Sequence, residues 1–292
     1  MRDPRRVALV WLDVYLLVSG VVLAVGGHGV LAIIHAVVVA IAALTILPKN
    51  GAARVAGNLI PLFVAPILYV EVPLLITALG TTYHDTLMQG WELALFGTQP
   101  SRTLAVAIPV TWLSEVLHAG YLAYYPVIFV PSLLLWARGE REGLAQTVLA
   151  VTITYTMCFV IFAMFPVEGP RYLWSAPDHV PSGPMRSLAL KILVAGSSRG
   201  AAFPSAHMAI VVAQAVMAWR WQRRIRWSYA VIAVLVGVGA VYGGFHYAVD
   251  VLAGSVVGFG VAWAIMGRRS SSDLRGTKKA PTATDRDSAG SI

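Results

Sequence analysis

Long apolar runs alternate with short polar connections along most of the chain. We place the runs at residues 7–25, 29–47, 55–79, 105–136, 143–165, 203–221, 227–244 and 246–267. Most of them are close to the about 20 residues with which a helix crosses the hydrocarbon core of a bilayer. The pattern therefore predicts an all-α fold, a polytopic membrane bundle of about eight transmembrane helices.

The predicted bundle divides into three parts. Residues 1–50 supply two additional N-terminal transmembrane helices, and residues 51–267 supply a membrane-embedded core of six helices. Residues 268–292 have almost no apolar side chains, so we expect a disordered cytoplasmic tail. Segment 81–96 mixes aromatic and polar residues and predicts an interfacial helix. Three prolines in the run 55–79 predict a kinked helix there.

The basic residues predict the orientation of the bundle. They lie before the first run, between the second and third runs, and after the fourth, sixth and eighth runs. With eight spans, all five clusters fall on one face, which the positive-inside rule makes cytoplasmic. The net charge is +8, but its division into short clusters gives no continuous basic face, so we expect no nucleic-acid partner. The composition, 58% hydrophobic and only 12% charged, agrees with a multi-pass protein of the cell membrane.

Three polar patches lie at the ends of runs, on the face opposite to the basic clusters. They are residues 169–172 (GPRY), 203–207 (FPSAH) and 246–250 (HYAVD). The sixth and seventh runs form a hairpin across the membrane, so the second and third patches return to the same face. We therefore expect one site at the extracytoplasmic face, built from all three patches.

The third patch holds a histidine and an acid four residues apart. On a helix, His246 and Asp250 would share a face. A carboxylate in that place can hold one imidazole nitrogen protonated and leave the other free as a nucleophile or base. The other interpretation is a structural pair near the membrane interface, and the spacing alone does not decide between them.

The second patch is typical of a helix start. Pro204 suits the first helical position. The free N–H groups after it, with the hydroxyl of Ser205, form a place for phosphate oxygens. His207 lies beside them and could protonate a leaving oxygen. Taken alone, the patch is equally consistent with an ordinary junction between a loop and a helix.

Together, the three patches and the segment VLAGSVVG after the third resemble the superfamily of type 2 phosphatidic acid phosphatases and vanadium haloperoxidases. The nearest likeness is to the membrane branch that includes inositol phosphorylceramide synthases. The resemblance covers roughly residues 90–267 and includes the weaker stretch 95–101 (LFGTQPS). It implies that a core of six helices carries the activity and that residues 1–50 are an addition.

The resemblance also implies a role for each matching residue. His246 would be the nucleophile that forms a phosphohistidine, Asp250 would orient it, and His207 would be the acid for the leaving group. Phosphate oxygens would be bound by three residues: Arg171, Ser205 and Ala206. The implied reaction uses no metal and no other cofactor.

The sequence departs from the family pattern in its cations. Gly239 and Ala240 stand where the third motif has a serine and an arginine, and the lysine of the first motif is absent. Because a phosphoryl transition state spreads charge over its equatorial oxygens, cations around it matter for catalysis. Candidates to replace the missing arginine lie in the loop 166–204: Arg199, which we place first, Lys191 and Arg186. The alternative for Arg199 is a loop arginine that faces water or lipid headgroups.

We expect an integral membrane lipid phosphatase, with a lipid phosphate as substrate and membrane lipids as its surroundings. One alternative is a phosphotransferase that moves a phosphorylated headgroup to a lipid alcohol. A second is a non-catalytic lipid-binding protein. A third is a transporter, which the intramembrane acids Asp13 and Glu71 would suit, although the chain has no inverted repeat. His35 has no partner at metal-ligand spacing, and we expect an interfacial or loop histidine.

Overall fold

The computed structural model describes residues 3–46, 51–174 and 181–267. Within these ranges the chain forms fourteen helices, and its β-type pairing is limited to one isolated bridge between Val167 and Ala201. The helices are α1 (Pro4–Val25), α2 (Gly29–Ile46), α3 (Gly51–Val70), α4 (Val72–Leu79), α5 (Asp85–Phe96), α6 (Pro100–Ala107), α7 (Thr111–Leu122), α8 (Tyr124–Ala137), α9 (Arg141–Met164), α10 (Pro170–Leu173), α11 (Pro184–Gly196), α12 (Ala206–Trp221), α13 (Arg226–Tyr242) and α14 (Ala248–Met266). The predicted tail 268–292 lies outside the described residues.

The helices confirm an all-α polytopic membrane protein. Three of them, α1, α9 and α14, are each long and apolar enough to cross a bilayer. Two bent pairs, α3 with α4 and α7 with α8, raise that number to five, and α2 and α13 are apolar but shorter. Every predicted run thus has a helical counterpart, whereas the count of eight spans stays a prediction.

Prolines shape two of the predicted runs. The run 55–79 bends by 54° at Glu71, two residues before Pro73, as the prolines predict. The run 105–136 is not the single helix that we expected: α6 ends at Ala107 and α7 begins only at Thr111. Pro109 accounts for the break, because the residue before a proline is pushed out of the helical region, and Ile108 indeed has φ −126° and ψ 71°.

Helix α9 is the central helix of the bundle. It packs against α1, α3, α4, α8, α12 and α14. Its buried side chains include Val148, Tyr155 and Phe162, and the Tyr155 hydroxyl donates a hydrogen bond to the carbonyl of Pro61 (3.1 Å). The C-terminal end of α9 lies at the same end of the bundle as the N-terminal ends of α12 and α14. This arrangement brings the three polar patches together.

Helices α12 and α14 approach each other backbone to backbone. A Cβ atom added at Gly254 would overlap the carbonyl oxygen of Ser205, and one at Gly258 would overlap that of Ala209. Only glycine permits this distance. The segment VLAGSVVG therefore has a structural role: its two glycines hold the first turns of the two helices against each other.

A buried polar network connects the N-terminal helices with the bend at Glu71. The Nε2 atom of His35, in α2, lies 2.7 Å from the carboxylate of Glu71, and both residues are buried. The other ring nitrogen of His35 lies 3.1 Å from the carbonyl of Leu16 and 3.2 Å from the hydroxyl of Ser19, both in α1. The expectation of an interfacial or loop His35 is therefore wrong, because His35 is buried within α2. Its partner is an acid that an apolar bundle must pair.

Candidate active site

Backbone hydrogen bonds join the second polar patch to the third directly, and to the first through the residues that precede each patch. The amide of Val167 donates to the carbonyl of Gly200 (3.1 Å), and the amide of Ala202 donates to the carbonyl of Val167 (3.0 Å). The amide of Ser205 donates to the carbonyl of Asp250 (2.9 Å). The second patch is thus connected both to the segment that precedes the first patch and to the first turn of α14.

His246 is buried, and both of its ring nitrogens have defined neighbours. Nδ1 lies 3.0 Å from the carbonyl of Ala202 and 3.5 Å from Oδ2 of Asp250. Nε2 faces Nδ1 of His207 at 3.4 Å. One detail of the expectation needs correction: His246 and Asp250 do not share a helix face, because α14 begins only at Ala248. The side chains meet because Asp250 lies in the first turn and points back toward the preceding loop.

His207 lies in the first turn of α12, next to two tyrosines. Its Nε2 lies 3.3 Å from the hydroxyl of Tyr121, and its ring packs on that of Tyr124 with centroids 4.2 Å apart. One set of tautomers satisfies all these contacts. The Tyr121 hydroxyl donates to His207 Nε2, His207 Nδ1–H donates to His246 Nε2, and His246 Nδ1–H donates to the carbonyl of Ala202. This assignment leaves Nε2 of His246 with its lone pair.

Ser205 is the N-cap of α12. Its side-chain oxygen accepts a hydrogen bond from the amide of Met208 (3.3 Å). The sequence suggested that Pro204 occupies the first helical position, and this is wrong. Pro204 precedes the N-cap, and α12 begins at Ala206. An α-helix leaves its first N–H groups without intrahelical partners. Here those groups belong to Ala206 and His207, and they lie beside the two histidines, where an anion would be favourable.

Arg171, in the short helix α10, brings positive charge to the same region. Its Nη1 is buried and has no hydrogen-bond partner among the described residues. The guanidinium lies 4.8 Å above the ring of Tyr172, and its charge acts on Tyr69, Tyr121 and Tyr125. Because Tyr121 is the residue that contacts His207, Arg171 belongs to the surroundings of the histidine pair. A half-buried guanidinium with a buried donor that no described residue pairs is suited to bind an anion.

The three candidate replacement cations have different environments. Arg199 forms an ion pair with Glu168, and this hydrogen bond and the charge of Glu168 raise the pKa of Arg199. Its side chain is 59% exposed. Lys191 is exposed on α11, whereas Arg186 is partly buried in the first turn of α11, where burial lowers its pKa. The charge of Arg199 is therefore already balanced by an acid, and its role at the site stays a prediction.

Sequence reasoning missed the acid at the start of α5. The carboxylate of Asp85 accepts hydrogen bonds from the amides of Glu168 and Gly169 (both 2.9 Å) and from the hydroxyl of Tyr247 (3.2 Å). Burial and the neighbouring Asp85 raise the pKa of Tyr247, which keeps it a neutral donor. Asp85 thus fixes the backbone before Arg171. The signal in the sequence that could have found Asp85 is an acidic residue in a segment predicted to be interfacial. An unpaired charge is costly there, so a partner is expected.

A family model described as the PAP2 superfamily matches residues 89–264. The chain belongs to the PAP2 superfamily. Comparisons with curated proteins and with solved structures found no match. The matched range includes the histidine pair, Asp250, Ser205 and Arg171, whereas α1 to α4 lie outside it. Membership in the PAP2 superfamily indicates an activity of the phosphatase or phosphotransferase type in a membrane protein.

The packing explains how this PAP2 superfamily member accommodates Gly239 and Ala240. Ala240 is buried in an apolar cluster with Tyr121, Leu193 and Phe245. A Cβ atom at Gly239 would overlap the carbonyl oxygen of Leu117, so α13 lies directly against α7 there. The place that the family pattern gives to an arginine is thus filled by apolar side chains beneath α11. A cation at position 240 would have to be buried among them.

Proposed function

We propose that the protein is a lipid phosphatase that hydrolyses a phosphate ester or diphosphate lipid through a phosphohistidine on His246. One observation carries the proposal: His246 is held at Nδ1 by two oxygen acceptors while Nε2 faces His207. A nucleophilic imidazole needs this orientation, because the held nitrogen keeps the proton and the other keeps the lone pair. The buried Nη1 of Arg171, which has no partner in the part of the chain that the structure describes, supports an anionic substrate.

In the first step, the phosphoryl group enters between the two histidines and replaces their mutual hydrogen bond. The lone pair of His246 Nε2 attacks phosphorus, and the bond from phosphorus to the lipid oxygen breaks. His207 enters this step as an imidazolium, protonated on both ring nitrogens, and becomes neutral when its Nδ1 proton passes to the leaving oxygen. The N–H groups at the start of α12 and the guanidinium of Arg171 stabilise the equatorial oxygens. Asp250 and the carbonyl of Ala202 stabilise the positive charge that develops on the His246 ring.

In the second step, a water molecule attacks the phosphohistidine and His207 accepts its proton. The bond from phosphorus to Nε2 breaks, and inorganic phosphate and the free enzyme result. A lipid alcohol in place of water would give the phosphotransferase that is the alternative. The two reactions share the first step, so the products decide between them: free phosphate for hydrolysis, a new phosphorylated lipid for transfer.

The test uses the purified protein in detergent, assayed against a panel of lipid phosphates with and without a lipid alcohol. We expect His246→Ala to abolish turnover of every substrate. His207→Ala should lose about 10²–10⁴-fold on a lipid ester, the usual contribution of general acid catalysis. It should lose far less on p-nitrophenyl phosphate, whose leaving group needs little protonation. An acid-labile phosphoenzyme that persists in His246→Ala would refute the assignment, and a wild type without any turnover would favour the non-catalytic alternative.

The proposal includes a reaction without metal at the extracytoplasmic face. The residue types at the site are imidazole, hydroxyl, guanidinium and backbone amide, which bind phosphate directly. Activity should therefore survive exhaustive EDTA treatment, and orthovanadate should inhibit as a five-coordinate mimic of phosphorus. Activity that is lost with the chelator and restored by Mg²⁺ or Zn²⁺ would contradict this mechanism.

A further inference from the structure

Helix α5 presents three polar side chains to the back of the site. Asp85, Gln89 and Glu92 are four and three residues apart, so they share one face of the helix. Asp85 contacts the first patch, and the amide of Gln89 lies 3.4 Å from the hydroxyl of Tyr247. The opposite face of α5 carries exposed apolar residues, among them Leu87 and Leu95. An interfacial helix thus turns its polar face toward protein and its apolar face toward lipid.

Glu92 reaches the start of the helix that follows His246. Its Oε1 accepts a hydrogen bond from the amide of Ala248 (2.7 Å), the first residue of α14. Its Oε2 accepts one from the hydroxyl of Ser101 (3.0 Å) at the start of α6. The Glu92 side chain is fully buried. The stretch 95–101 (LFGTQPS) therefore ends in the serine that holds the far oxygen of this carboxylate.

We propose that Glu92 is a positioning residue for His246 and Asp250, and that it acts by fixing the N-terminal end of α14 from behind. The amide of Ala248 lies two residues after His246 and two before Asp250. Its hydrogen bond therefore sets both side chains at once. This inference rests on the proposed function, because a positioning residue needs a reaction to position for.

The charge of Glu92 also belongs to the site. It acts on Asp250, whose Oδ2 accepts the amide of Tyr247 (2.8 Å). The titratable groups that face this region are Asp85 and Glu92 on α5, His207 at the start of α12, and Tyr247, His246 and Asp250 around the start of α14. Burial raises the pKa of Glu92, and its hydrogen bonds with Ala248 and Ser101 lower it in part.

Two substitutions separate position from charge. Glu92→Ala removes both hydrogen bonds, and a displacement of about 1 Å at a reacting group costs about 100-fold in rate. We expect that loss in kcat. Glu92→Gln can keep both contacts, since its carbonyl accepts from Ala248 and its amide donates to Ser101, but it removes the charge. We expect it to keep most of the activity, because it keeps the N-terminal end of α14 in place.

The measurement is kcat and KM of lipid phosphate hydrolysis for purified wild type and both variants. Thr86→Ala, on the exposed face of the same helix, is the matched control and should behave as wild type. Folding is checked by thermal unfolding in detergent. A folded Glu92→Ala variant within about twofold of wild type, or a Glu92→Gln variant that loses as much kcat as Glu92→Ala, overturns the role of Glu92 alone. A wild type that fails to turn over any substrate overturns the proposed function, and this role with it.

Discussion

The contact between α12 and α14 allows a sharp test of how the site is held. Gly254 lies one turn after Asp250, and a Cβ atom there would overlap the carbonyl oxygen of Ser205. The Cβ atom is attached directly to the backbone of α14, and the oxygen that it meets is a backbone atom of Ser205. No flexible side chain can therefore move aside to relieve the overlap. We therefore expect Gly254→Ala to separate the first turns of the two helices.

The size of the effect follows from the geometry. An ordinary van der Waals contact requires that the two backbones separate by about 1 Å. Such a shift would break the hydrogen bond from Ser205 to Asp250, now 2.9 Å, and move His246 away from His207. A misplacement of this size costs about 100-fold in rate, which corresponds to about 2.7 kcal/mol of transition-state stabilisation.

The assay is phosphate release from a lipid phosphate in detergent, with Gly260→Ala as the control. Gly260 is in the same helix, and a Cβ atom there meets nothing within 4 Å. Alanine favours a helix over glycine by about 1 kcal/mol in both places, so a loss that is confined to Gly254→Ala reports on packing. Equal activities of the two variants would refute the reasoning.

Three further predictions concern other parts of the molecule. Arg171→Gln should lower kcat/KM for lipid phosphate by about 10²–10³-fold, the usual effect of removing one donor to developing charge, and a loss under tenfold would contradict a role at the phosphate. His35→Leu should destabilise the protein by about 3 kcal/mol in thermal unfolding, because it leaves Glu71 buried and unpaired. The double variant with Glu71→Leu should recover most of that loss, and no recovery would mean that the pair is not coupled. Single cysteines at Ser182 and Ser270, in a cysteine-free background, should be labelled from opposite sides of the membrane, and labelling from the same side would overturn the span count.

The sequence was most informative where local rules suffice. Apolar run length predicts the helices, and the spacing of His246 and Asp250 predicts their proximity, which the structure has at 3.5 Å. The local rules failed at boundaries. Pro204 precedes the cap of α12, so a proline near a helix start does not by itself mark the first helical residue. The break at Pro109 follows a local rule, but the length of the apolar run hid it.

The sequence does not reveal hydrogen-bond partners that are far apart along the chain. Asp85 and Glu92 lie in a segment whose composition indicates only an interfacial helix. Their partners are backbone amides about 80 and 156 residues further along the chain, and a backbone amide has no sequence signature. Tyr121 was equally hidden, because its hydroxyl meets His207 only after α7 and α12 have packed. Tertiary packing, which residue types do not encode locally, selects these partners.

The pair of His35 and Glu71 has a consequence for the way the protein is made. A chain is synthesised from its N-terminus, so α2 reaches the membrane before the bent pair α3 and α4. When Glu71 enters the bilayer, the imidazole of His35 is already there to pair with it. Helix α2 therefore supplies, before it is needed, the partner for the acid in the bend between α3 and α4. A shortened protein that began at residue 51 would insert an acid for which the bilayer holds no partner.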